Sequence, residues 1–107
     1  MADEIVILIT TSSEAEAQRI GRALVEEHLV ACANIISAVT SIFFWEGGTR
    51  EAAESLMVCK SRSALLDRIM SRVREMHSYT VPEVIALPIV GGLPDYLAWV
   101  SDTAKGA

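Results

Sequence analysis

His77, Tyr79 and Glu83 place an imidazole, a phenol and a carboxylate within seven residues, beside Pro82. An imidazole can carry a proton or hold a metal, a phenol can donate a hydrogen bond, and a carboxylate attracts cations. Lys60 closes a candidate strand, Trp45 and Glu46 sit at a candidate hairpin tip, and Trp99 falls on a candidate last helix. Drawn together across an interface between chains, these aromatic and charged groups would line a cleft for a small ligand. The competing reading is ordinary loop and interface packing.

Metal chemistry is the second possibility the side chains raise. His77, Cys32, Cys59, Met57, Met70 and Met76 are soft or borderline ligands of the kind copper accepts. Met76-His77 sets a thioether beside an imidazole. Methionine at helical spacing fills cores more often than it ligates, so packing competes here too. Nucleophile and phosphate-loop signatures are missing: the chain has no G-x-S-x-G, Walker loop, G-x-G-x-x-G or H-E-x-x-H. The two histidines, His28 and His77, fall at the ends of different predicted helices. The expectation is a protein that is not an enzyme.

Hydropathy spacing indicates the elements that must position these groups. Residues 4–10 form a short run rich in Ile and Val, as in a strand buried on both faces. Ser13 and Glu16 have capping-box spacing, and Ala17, Ile20, Gly21, Leu24 and Val25 recur with helical period. A helix is therefore predicted over 14–28. Residues 31–45 alternate as one long strand, with a turn predicted at Gly47 and Gly48. Residues 50–60 return as a second long strand. Helix propensity competes at its start, but the turn and its partner strand favour the hairpin. Ser61 or Ser63 is the predicted cap of a second helix that ends near His77. A last strand is predicted over 83–90, and Pro94 precedes a short helix over 95–103. The order β-α-β-β-α-β plus a terminal helix is an α+β, ferredoxin-like split βαβ arrangement, with an antiparallel sheet and two helices on one face. The 107 residues read as one domain.

A strand of this length spans about 50 Å, whereas a domain of 100 residues has a radius of gyration of about 13 Å. The hairpin must project or bend at a bulge. A projecting arm would leave Phe43, Phe44 and Trp45 wet, so pairing with another chain, and hence an obligate oligomer, is expected. The composition agrees: 51% of the chain is hydrophobic, more than one small core readily hides. A turn at Gly47 and Gly48 would set Cys59 opposite Ile36. The two cysteines would then lie about 13 Å apart, too far for a disulfide.

The formal net charge is −5, which argues against nucleic acid as a partner. Residues 1–56 hold nine acids and three bases, and residues 57–107 hold five acids and six bases. Arg62, Arg68, Arg72 and Arg74 read as a solvated helix face. No apolar run approaches the roughly 20 residues of a membrane-spanning helix, so no membrane partner is expected. The acidic start Met1-Ala2-Asp3-Glu4 is unlike a secretory signal, which points to a cytoplasmic protein with free thiols.

Four blocks carry a resemblance: Leu29-Val30-Ala31-Cys32-Ala33-Asn34-Ile35; Phe44-Trp45-Glu46-Gly47; the stretch from His77-Ser78-Tyr79 through Pro82-Glu83 to Pro88-Ile89; and Tyr96-Leu97-Ala98-Trp99. In order and spacing the chain resembles the CutA divalent-cation tolerance proteins over residues 5–102. The resemblance implies a homotrimer with long hairpins paired between subunits, similar in shape to the PII nitrogen-signalling trimers. It also implies a cytoplasmic protein tied to tolerance of divalent metals, copper especially, with no organic cofactor and no established catalysis. Some members hold copper through a cysteine in the first strand and two adjacent histidines ending the second helix. Here those positions read Ile9 and Met76-His77, so only His77 carries over as a metal ligand. The family's intersubunit cleft carries over onto Trp45, Lys60, Tyr79, Glu83 and Trp99. A PII-like sensor of a small organic anion or nucleotide is the alternative function.

Overall fold

The computed structural model describes residues 3–107; Met1 and Ala2, half of the acidic start, lie outside the described residues. The elements are β1 (Glu4–Thr11), α1 (Glu14–Glu26), β2 (Cys32–Trp45), β3 (Gly48–Arg62), a 3-10 turn (Ser63–Leu65), α2 (Leu66–Met76), β4 (Val84–Pro88) and α3 (Pro94–Thr103). All neighbouring strands are antiparallel, in the order β2-β3-β1-β4. This is the α+β split βαβ arrangement expected from the sequence.

Alternation along the strands decides where the core lies. Ile5, Ile7 and Ile9 of β1 and Met57 and Cys59 of β3 point to one face and are buried. They meet Ile20 and Leu24 of α1 and Ile69 and Val73 of α2 in a single cluster. Each such side chain contributes about 1.5–3 kcal/mol on burial. Gly21 lets α1 come down onto the sheet: a Cβ there would stand 3.3 Å from both Ala33 Cβ and Met57 Cε.

The opposite face is only partly covered. α3 crosses one end, where the Ser101 hydroxyl donates to Glu4 and Arg62 Nε donates to the Ala104 carbonyl at 2.8 Å. Beyond it, Ile36, Ile85 and Leu87 remain 47%, 50% and 48% exposed, and Leu8, Leu56 and Val58 share their face.

β1 pairs with β3 only as far as Ser55. Residues 39–54 therefore form a two-stranded arm, and the molecule is 44 Å long but only 25 by 22 Å across. The sequence left open whether the hairpin projects or bends at a bulge. It projects, and β2 also carries a register irregularity between Ile36 and Val39. Before it, Ile36 faces Leu56; after it, Val39 faces Glu54. Even-numbered residues of β2 share the uncovered face at its base, and odd-numbered ones do so along the arm.

Several local expectations need correction. The turn is Glu46-Gly47, with Trp45 opposite Gly48, and both turn residues have positive φ (49° and 79°). A two-residue hairpin loop of this hand needs positive φ at both positions. Together with the bulge, this shifts the register, so Cys59 faces Ala33 and not Ile36, and Cys32 faces Lys60. The cysteines are therefore near neighbours and not 13 Å apart. They point to opposite faces of the sheet, and both are free. Neither Ser61 nor Ser63 caps the second helix: the Ser61 hydroxyl donates to the Leu29 carbonyl at 2.6 Å, and α2 grows out of the 3-10 turn with no side-chain cap. α1 stops at Glu26 and not at residue 28, and β4 is shorter at both ends than predicted.

Candidate functional site

The loop after α2 is fixed by a buried carboxylate. Glu16 is 5% exposed. Its backbone N–H donates the expected bond to the Ser13 hydroxyl oxygen, at 3.1 Å. Its carboxylate, however, does not close the box on Ser13. It accepts from the Ser12 N–H and hydroxyl, both at 2.9 Å, and from the Ser78 N–H at 2.7 Å and hydroxyl at 3.1 Å. Burial pushes this carboxyl up, but the four donors from Ser12 and Ser78 outweigh it and hold the group down at about 2.

His77 directly precedes Ser78, and its side chain is completely buried. Its Nε2 lies 2.7 Å from the Thr10 carbonyl oxygen, and its Nδ1 accepts the Tyr79 N–H at 3.0 Å. A carbonyl can only accept, so Nε2 carries the proton and the ring is the neutral Nε2–H tautomer. The Tyr79 ring packs beside it at a tilt of 45°, with centroids 4.8 Å apart. The Tyr79 hydroxyl donates to Glu54 Oε2 at 2.6 Å. Burial, then the bond donated to Glu54 and the Glu54 charge, push the Tyr79 phenol up to about 12, so it remains a donor.

Tyr79 and Glu54 open onto a cleft of about 740 Å³ between the arm and the loop 79–83. Ser41, Phe43 and Trp45 line it from β2, and Glu83 from the loop. The bulge places them there, because it brings the odd-numbered residues of the arm onto the face that carries Glu54. Of the residues singled out from the sequence, the structure brings Trp45, Tyr79 and Glu83 together. Lys60 and Trp99 belong to a second cluster on the same chain. There Lys60 Nζ donates to Asn34 Oδ1, the Tyr96 hydroxyl lies 3.8 Å from Cys32 Sγ, and Trp99 packs at a tilt against Tyr96, with centroids 5.6 Å apart. Glu54 and Glu16 went unnoticed as site residues. Glu16 was legible only as a capping partner, and no local motif marks Glu54.

The residues at the family's copper position do not fit a copper site here. Ile9 is a fully buried hydrocarbon in the core. Both nitrogens of His77 are engaged, and a metal would have to break one of these bonds. Met57 is core, and Met70 is partly exposed on α2. Among the described residues no group of three or more His, Cys, Asp or Glu side chains converges on one point.

An antiparallel split βαβ sheet with a long hairpin arm and an acidic, aromatic-lined cleft defines the class of protein. Residues 5–103 match the family described as "CutA1 divalent ion tolerance protein", and the chain belongs to that family. It is 44% identical over 99 residues to the divalent-cation tolerance protein CutA of Thermus thermophilus, covering 92% of this chain and 96% of that protein. The crystal structure of CutA1 from Oryza sativa superposes with a TM-score of 0.94 at 38% identity, covering 97% of this chain and 95% of that one. The structure described as the periplasmic divalent cation tolerance protein CutA from Archaeoglobus fulgidus gives 0.92 at 40% identity, covering 95% and 99%.

Proposed function

We propose that this protein acts in the cellular response to divalent cations, copper among them, as a homotrimer and without catalysis. Likeness along residues 5–103 to proteins named for divalent-cation tolerance carries the reading. The half-bare apolar face of the sheet and the projecting arm support an oligomer, since both are surfaces that a second copy would cover. The neutral, fully bonded His77 supports a role other than acid–base catalysis. The two free thiols suit the reducing cytoplasm, although the Archaeoglobus relative is described as periplasmic.

Calorimetric titration of the purified oligomer with copper(II), zinc and magnesium tests the direct form of this role. Saturable copper binding that His77→Gln abolishes would show that the metal opens the His77 bonds. Saturable binding that survives His77→Gln would place the metal elsewhere. No saturable binding of any of the three ions sinks direct metal binding and leaves a response that acts through another ligand. The alternative of an organic anion or nucleotide would need Lys60 of one chain to reach the cleft of another.

A further inference from the structure

We propose that the cleft between the arm and the loop 79–83 binds a small organic cation, an ammonium head on a short apolar stem. The proposal is independent of the metal role and needs no metal site.

Charge selects the sign of the ligand. Glu54 and Glu83 both line the cleft, and no Lys, Arg or His side chain does. The ion pairs among the described residues involve Asp3, Glu16, Glu27 and Glu75, and neither cleft carboxylate. Glu54 Oε2 accepts from the Tyr79 hydroxyl, a neutral donor that orients the carboxylate without cancelling its charge. An anionic ligand would meet two carboxylates in this lining, and the nearest base on the same face of the arm is Arg50, opposite Phe43 and outside the lining.

Shape and lining select the kind of cation. A cleft of about 740 Å³ is in the range of small-molecule sites and is far larger than a bare ion. A divalent ion would need several converging oxygen donors. Part of the remaining wall is apolar or aromatic: Phe43, Trp45 and Val81. The faces of Trp45 and Phe43 can attract a cation through their ring quadrupoles, while Val81 shelters a hydrocarbon stem. The hydroxyls of Ser41 and Thr80 offer additional acceptors to an N–H head. Carboxylates for the charge and rings for its apolar neighbours are the combination that recognises ammonium groups.

The test is calorimetric titration of the intact oligomer with 1,5-diaminopentane at about 0.15 M salt, where non-specific attraction to an acidic surface is screened. Citrate, ATP and magnesium serve as comparators. The expected result is saturable binding of the diamine at one per chain, accompanied by a change in Trp45 fluorescence in a Trp99→Phe background. Glu83→Gln and Glu54→Gln should each weaken it about tenfold or more, as loss of a charge-assisted contact does. Glu14→Gln, which removes the same charge from an exposed position on α1, should leave it unchanged. Glu83 is exposed, so its variant keeps the fold testable if Glu54→Gln disturbs the arm. Absence of saturable diamine binding overturns the proposal, including the case where a neighbouring subunit fills the cleft. So does equal weakening by all three substitutions, or binding of citrate, ATP or magnesium in place of the diamine. None of these outcomes bears on copper binding, which the earlier titration reads separately.

Discussion

Glu16 is a charged side chain turned inward, and its four donors make it a clasp between the start of α1 and the loop after α2. A carboxyl whose folded value, about 2, lies below the ordinary 4.5 stabilises the fold above 4.5. That contribution fades as pH falls from about 4.5 to about 2. Glu16→Gln should therefore cost about 2–3 kcal/mol at pH 7, measured by urea unfolding at fixed protein concentration. The gap between variant and wild type should close as the pH approaches 2. Tyr79→Phe removes one bond to Glu54 and should cost about 1 kcal/mol in the same measurement. The sequence displayed these residues unequally. The spacing of Ser13 and Glu16 announced a helix start, and the helix starts there. The bond from the Ser78 N–H to Glu16 spans 62 residues of chain, and nothing local records it. His77 was legible as chemically able, but not as a ring with both nitrogens already occupied.

At the scale of elements, hydropathy period identifies the strands and helices, because buried faces impose it, except at the start of β3, where the turn and the partner strand decide. Register was not legible, because it depends on the two turn residues and on one bulge. Adjacent glycines suggested a turn at residues 47 and 48, yet the chain turns at Glu46 and Gly47. Glu46 accepts φ = 49°, an unfavourable value for a residue with a Cβ. Glu46→Gly or Glu46→Asn should thus leave the hairpin as stable or a few tenths of a kcal/mol more stable. Gly47→Ala should lose about 1–2 kcal/mol. Thermal unfolding of the three variants at one concentration checks the contrast, and a neutral Gly47→Ala would refute the turn described here.

For the whole molecule, the surplus of apolar residues has a location. α1 and α2 cover one face of the sheet, α3 covers one end of the other, and Ile36, Ile85 and Leu87 stay about half exposed beside Val58. Composition and arm length in the sequence lead to the expectation of an oligomer, but they do not say which surface remains bare. A charge at the centre of that surface should break the assembly. Val58→Glu is expected to yield smaller species or precipitate at micromolar concentration, with wild type sedimenting as a trimer. An unchanged sedimentation coefficient for the variant would move the interface elsewhere. Glu51→Gln, on the solvated arm, is the control.

The irregularity between Ile36 and Val39 also sets an arithmetic for the arm. Beyond it, every inward-looking side chain is an odd-numbered residue of β2 matched to an even-numbered residue of β3. Inserting or deleting a single residue in 39–45 would turn the outer part of that strand over, presenting Ile42 and Phe44 where Phe43 and Trp45 now stand. The arm can grow or shrink only in steps of two residues per strand if it is to keep the same wall toward the cleft. Its length is quantised, and the irregularity is the phase reference from which the steps are counted.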